Sequence, residues 1–256
     1  MPPSPTISPM PAASPAAAWL GFAADALFAI GLLLLLSLVA GAVWALAGGA
    51  GASGMSPGVL AQMGMAVVAT GGTAVVLYLW RGRASASEWQ LSLQAMARRS
   101  TWGWSVLTAC LVFAGSAGVS WVFARFAALP APSNMALMEQ AASQYPVVLI
   151  LFAVVLAPLY EELLFRRVLF GRLARAGLVV PGIILSSLLF AMSHEIPGLG
   201  SQGWLGLLQL WLIYGGMGAA FAWLYHRTGT LMAPFVAHAL NNAVALAGLM
   251  LGWNGV

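Results

Sequence analysis

Six residues in the second half of the chain have the types and spacing to do chemistry: Glu161, Glu162, Arg166, His194, His238 and Asn242. Charge is scarce, with 10 arginines and 6 acids in 256 residues, so the group Glu161, Glu162 and Arg166 stands out. It sits in or at the end of an apolar run that begins at Val147. An ionised group at membrane depth is expensive enough to point to a function. On a helix Glu162 and Arg166 share a face and can pair, while Glu161 is turned about 100° away. One carboxylate is engaged and its neighbour is available. The plain alternative is a membrane-edge salt bridge with both acids in headgroup water.

The chemistry such a set supports is hydrolysis. A carboxylate in a dry cavity can act as general base to a water, and a neighbouring imidazole can help activate that water or protonate the leaving amine. A second imidazole and an amide NH₂ are suitable donors to a developing oxyanion. The same residues also suggest a metal, since two histidines, a carboxylate and a water form a known catalytic zinc set. Glu161, His194 and His238 are then the candidate ligands and Zn2+ the candidate ion. With no H-E-x-x-H, such a site would be assembled from separate helices. Ser-His-Asp catalysis is disfavoured, because the only aspartate is Asp25 and no G-x-S-x-G is present. For each polar residue taken singly, an interhelical hydrogen bond is the commoner explanation.

The elements that must position these residues are membrane spans. The chain is 61% hydrophobic with mean hydropathy +0.92, far above a soluble domain. Apolar runs able to cross about 30 Å of hydrocarbon fall near 20–47, 59–80, 102–124, 147–173, 177–194, 204–225 and 230–252. The fold class expected is all-α, a polytopic bundle of about seven spans, the fifth being the weakest. Residues 1–18, rich in Pro, Ala and Ser, read as a disordered tail; 19–146 as N-terminal transmembrane helices; and 147–252 as the catalytic core. The Gly/Ala/Ser stretch 48–57 reads as a linker. The single cysteine, Cys110, excludes an intrachain disulfide, and no basic cluster interleaved with aromatics suggests nucleic acid.

Every positive charge is an arginine. With seven spans, Arg81, Arg83, Arg98, Arg99, Arg166, Arg167, Arg172, Arg175 and Arg227 fall on one side and only Arg125 on the other. The positive-inside rule then puts the N-terminus in the cytoplasm of an inner-membrane protein. Tryptophans 80, 89, 102, 104, 121, 204 and 223 flank the runs as an aromatic belt should. The segment Arg81–Arg99, with Trp89 in it, suits a membrane-surface position. At 1.5 Å per residue, Glu161, His194, His238 and Asn242 lie about 18, 20, 15 and 21 Å below the arginine-rich surface. Three helices thus deliver four polar groups to one depth, which favours a single site.

The motifs Glu161-Glu162-x-x-x-Arg166, Phe190-x-x-x-His194 and His238-x-x-x-Asn242 resemble the three signatures of the CAAX-protease and bacteriocin-processing family of intramembrane proteases. That group includes type II CAAX prenyl endopeptidases and abortive-infection proteins. The resemblance covers about 147–245. It implies that Glu161 and His194 activate the attacking water, that His238 and Asn242 stabilise the oxyanion or ligate a metal, and that Glu162, Arg166 and Phe190 support the site. Both a zinc and a metal-free glutamate mechanism are open on this resemblance. Glu195 departs from the pattern, either as a loop charge or as a further polar group at the cavity mouth. The expected partners are membrane lipid and a hydrophobic or lipidated peptide, with no nucleic acid. The absence of lysine and the Ala, Gly and Arg content point to a bacterial source. The competing reading is a non-proteolytic scaffold or small transporter using the same polar cavity.

Overall fold

The computed structural model describes residues 14–49, 56–126, 132–198 and 203–252. Among these the regular structure is entirely helical. In chain order the helices are α1 Pro15–Gly48, α2 Val59–Gly82, α3 Ala86–Met96, α4 Arg99–Phe123, α5 Met135–Gln144, α6 Pro146–Arg175, α7 Val179–His194, α8 Trp204–Thr228 and α9 Met232–Leu251. Six are long and apolar enough to cross a membrane, and α7 is a shorter apolar helix. The chain is an integral membrane protein with the helical-bundle fold its apolar runs imply. At 16 residues, α7 extends only about 24 Å.

The tail expected over 1–18 needs correction at its end. Residues 1–13 lie outside the described set, but Ser14 accepts a hydrogen bond from Ala17 N and Pro15 opens α1. A serine N-cap, proline in the first turn and a run of alanines are a sound helix start, so residues 15–18 are helical. Of the expected linker 48–57, residues 50–55 lie outside the described set.

The core gathers around the second half of α6, where every residue from Leu164 to Phe170 is buried. A helix buried all round must have neighbours on every side. Its neighbours come from both halves of the chain: Phe22, Ala74 and Leu77 share one apolar cluster with Phe165, Val168, Phe190, Phe221 and Ala237. Much of α1, by contrast, is exposed, Leu20 by 75% and Leu38 by 73%. Those side chains face hydrocarbon. Asp25 fastens α1 to the rest: it is 1% exposed, with Arg81 Nε 2.7 Å from Oδ1 and Arg172 Nε on Oδ2. One acid so joins α1, α2 and α6.

The surface segment expected between the second and third spans is the helix α3. Ser85 Oγ accepts from Glu88 N, and Glu88 Oε2 accepts from Ser85 N, a reciprocal cap. Trp89, Leu91 and Leu93 are exposed on it. Glu88 also receives Arg167 Nη1 at 2.9 Å and Nη2 at 2.8 Å, while Arg167 Nε donates to Gly82 O. Outside the spans, Glu88 is held at about pKa 2, chiefly by the Arg167 hydrogen bonds, with burial opposing. A carboxylate held below its ordinary value contributes stability above about pH 4.5 that is lost as the pH falls toward 2. Between about pH 5 and about pH 3 the thermal midpoint of the unmodified protein should therefore drop more than that of Glu88→Gln. The difference is small, because water screens a partly exposed pair.

The helix α7 packs mainly on α8, with Gly218 tight against Ser187. A Cβ there would stand 2.9 Å from Ser187 Cα and 3.0 Å from Ser187 Cβ. Small residues let membrane helices approach this closely. Gly218→Ala should push α7, and with it His194, off its seat at a cost of about 1–3 kcal/mol, read as a lower thermal midpoint. Gly215→Ala, where nothing lies within 4 Å, is the neutral control.

Candidate active site

Glu161 is the hub of the polar cluster. Its side chain is 14% exposed, yet Oε2 is buried and has no hydrogen-bond partner. His194 Nε2, from the end of α7, lies 3.9 Å from that oxygen, and His238 Nε2, from α9, lies 3.8 Å from it. Both gaps are too long for direct hydrogen bonds.

Each imidazole is oriented through its other nitrogen. His194 Nδ1 lies 2.8 Å from Phe190 O. A carbonyl can only accept, so Nδ1 donates and the neutral ring leaves its Nε2 lone pair for the Glu161 side. The ring stacks on Tyr214 at 4.3 Å and 26° and meets Phe190 at 4.5 Å. His238 Nδ1 lies 2.9 Å from Glu162 Oε1, so the acid orients that ring as the aspartate does in a Ser-His-Asp triad. Phe221 stacks on His238 at 5.0 Å and 26°.

Glu162 and Arg166 are almost wholly buried, at 0% and 1%. Arg166 Nε approaches Glu162 Oε2 to 2.9 Å, yet Arg166 Nε and Nη2 and Glu162 Oε2 complete no hydrogen bond. The guanidinium lies 4.6 Å from the Phe190 ring centre and 5.5 Å from that of Phe221. It is held by its counter-charge and by aromatic faces. The pair expected from helical spacing is present, and Glu162 has a second duty toward His238 that spacing did not reveal.

Asn242 points its amide elsewhere: Nδ2 donates to Ala153 O on α6 at 2.9 Å. Glu195 is 2% exposed; Oε1 accepts from Ser133 N at 2.8 Å and its carbonyl accepts from Trp211 Nε1 at 2.9 Å. It ties the chain after α7 to α8 and to the segment before α5. Sequence reasoning missed Tyr214 and Phe221, both on α8. Neither lies in a polar motif, so only packing could reveal that they seat the histidines.

The three candidate metal ligands are of zinc-binding type, but their spacing is not that of a closed site. With bonds of about 2.0–2.2 Å, atoms around a tetrahedral zinc stand about 3.3–3.6 Å apart. The observed gaps are wider, and among the described residues no three His, Cys, Asp or Glu side chains gather closely enough to hold a metal ion.

Residues 143–244 match the family model described as type II CAAX prenyl endopeptidase Rce1-like, which bears out the resemblance carried by the three motifs. Over 95 residues (37% of the chain) the protein is 32% identical to YdiL, a candidate membrane peptidase of Bacillus subtilis (strain 168), covering 34% of that protein. Over 105 residues (37% of the chain) it is 34% identical to the membrane-embedded CAAX protease MroQ of Staphylococcus aureus (strain USA300), covering 36% of it. The match thus spans about a third of the length of these relatives. No solved structure matches the chain.

Proposed function

We propose that the protein is an intramembrane endopeptidase that hydrolyses a peptide bond in a membrane-anchored or hydrophobic substrate, in the manner of CAAX processing. The observation that carries this is the buried Glu161 Oε2, which has no hydrogen-bond partner and has an imidazole nitrogen from each of two other helices 3.9 and 3.8 Å away. A water admitted with the substrate beside these groups donates to Glu161 and to His194 Nε2 and presents its lone pair to the scissile carbonyl. As the C–O bond forms, its proton passes to Glu161 or His194. His238, once Nε2 is also protonated, remains fastened to Glu162 through Nδ1 and is a charged donor for the oxyanion. The proton held by the base then goes to the leaving amine as the C–N bond breaks.

The arginine-rich side is assigned to the cytoplasm, which places the N-terminus there. In support, α2, α3 and α6 meet at one end through Arg81, Arg167 and Arg172.

The test is cleavage of a lipid-anchored peptide by purified protein in detergent, run in ¹⁸O-water. The expected result is one heavy oxygen in the new carboxyl, His194→Ala inactive, and activity that survives a zinc chelator. Loss of activity on chelation, with recovery on adding zinc, would replace the glutamate route by a metal one. A folded protein that cleaves nothing but carries protons in vesicles would move the reading to a transporter.

A further inference from the structure

We infer that Asn242 supplies the hydrogen-bond donor that Pro158 withholds, and in this way sets the turn that presents Glu161. Ala157 N donates to Phe152 O, five residues back, so the helix here is one residue wider per turn than an α-helix. In ordinary register that N–H would go to Ala153. In the wide register the next donor, the one due to Ala153 O, belongs to residue 158, and proline has none. The Ala153 carbonyl is left without a backbone partner, in a setting where an unmet carbonyl is costly. Asn242 Nδ2 fills the place from α9 at 2.9 Å.

The consequence reaches the site because Glu161 lies in the very next segment, Ala157–Glu162. Asn242 is one helical turn beyond His238, so the face of α9 that brings the imidazole to Glu161 also clamps the turn before Glu161. The bond thus links the rotation of Glu161 about α6 to the position of His238. Asn242 is in this sense a positioning residue acting through the α6 backbone. An amide has two N–H groups, so the second could still reach an oxyanion. The two roles differ in what they ask of Pro158.

Pro158→Ala restores an N–H and lets Ala157 return to Ala153 O, which makes the Asn242 donor redundant. The experiment compares Asn242→Ala, Pro158→Ala and the double variant as full-length protein in detergent. Asn242→Asp, equal in size but without the N–H when ionised, guards against a packing artefact. Amide exchange over residues 150–165 should rise in Asn242→Ala and Asn242→Asp. In the Pro158→Ala background, removing the amide should change exchange no further. In cleavage, whose use here rests on the protease reading, Asn242→Ala should lower kcat about tenfold or more with KM little changed. The double variant should stay within about threefold of Pro158→Ala alone. An Asn242→Ala protein that exchanges like the unmodified one overturns the inference, as does an equal penalty in both backgrounds. If the unmodified protein cleaves nothing, the protease reading falls while the exchange comparison still decides this point.

Discussion

Glu161→Gln should leave a folded protein whose kcat is down by about 10²–10⁴-fold, the range general-base catalysis supplies. The amide keeps the size of the side chain, and the group it replaces makes no hydrogen bond through Oε2 in the resting protein. Little in the folded state depends on it, so the thermal midpoint should barely move. KM should also hold, because the carboxylate acts on the water and not on the substrate's apolar body. The acid to compare is Glu162, one residue away and fully buried. Its substitution should damage the fold and the orientation of His238 together. A Glu161→Gln protein that cleaves at the native rate removes this carboxylate from the mechanism and with it the proposed water.

Arg166→Met carries the largest expected effect on stability. The guanidinium and the Glu162 carboxylate are both out of contact with solvent. Removing one member of a buried pair leaves the other charge uncompensated, at a cost of about 3–5 kcal/mol. Part of the loss should return in Glu162→Gln/Arg166→Met, which removes both charges and lets methionine pack against Phe190 and Phe221. That recovery is what separates a paired charge from a side chain that merely fills space. Arg166→Lys should not substitute, since a compact ammonium cannot lie flat between two aromatic faces. The measurement is the thermal midpoint of each variant in one detergent, and equal midpoints for Arg166→Met and the double variant would deny that the charges are coupled.

Much of the fold was legible because a bilayer imposes a simple rule on sequence. A span must be apolar over its whole length, and every backbone group must be met within it. The seven apolar runs consequently became seven helices near the expected limits, α7 being short. The helix α3 was visible only as a charged segment with Trp89, although Ser85 and Glu88 carry the spacing of a reciprocal cap. The helix α5, at Met135–Gln144, was not expected, since a short stretch between spans obeys no such rule.

The site was legible to the same degree and for the same reason. Where so few residues are charged, those at membrane depth are visible one by one, and Glu161, Glu162, Arg166, His194 and His238 were all named from type and spacing. Equal depth on three helices made a single site the expectation, without deciding which atoms face one another. What spacing along one helix could not supply was the partner on another: Glu162 reaching His238, Tyr214 and Phe221 seating the imidazoles, Asp25 receiving two arginines, and Asn242 turning its amide to Ala153 O.

By itself, then, the sequence determined that this is a membrane bundle, where its helices run, and which polar groups share a level in it. Only the tertiary structure decided which of those groups face one another and through which atoms. The physical reason is that hydropathy and helical period act along one chain segment at a time. The rotation of each helix about its axis is set by contacts with its neighbours, such as Gly218 against Ser187 and the arginine between two aromatic rings.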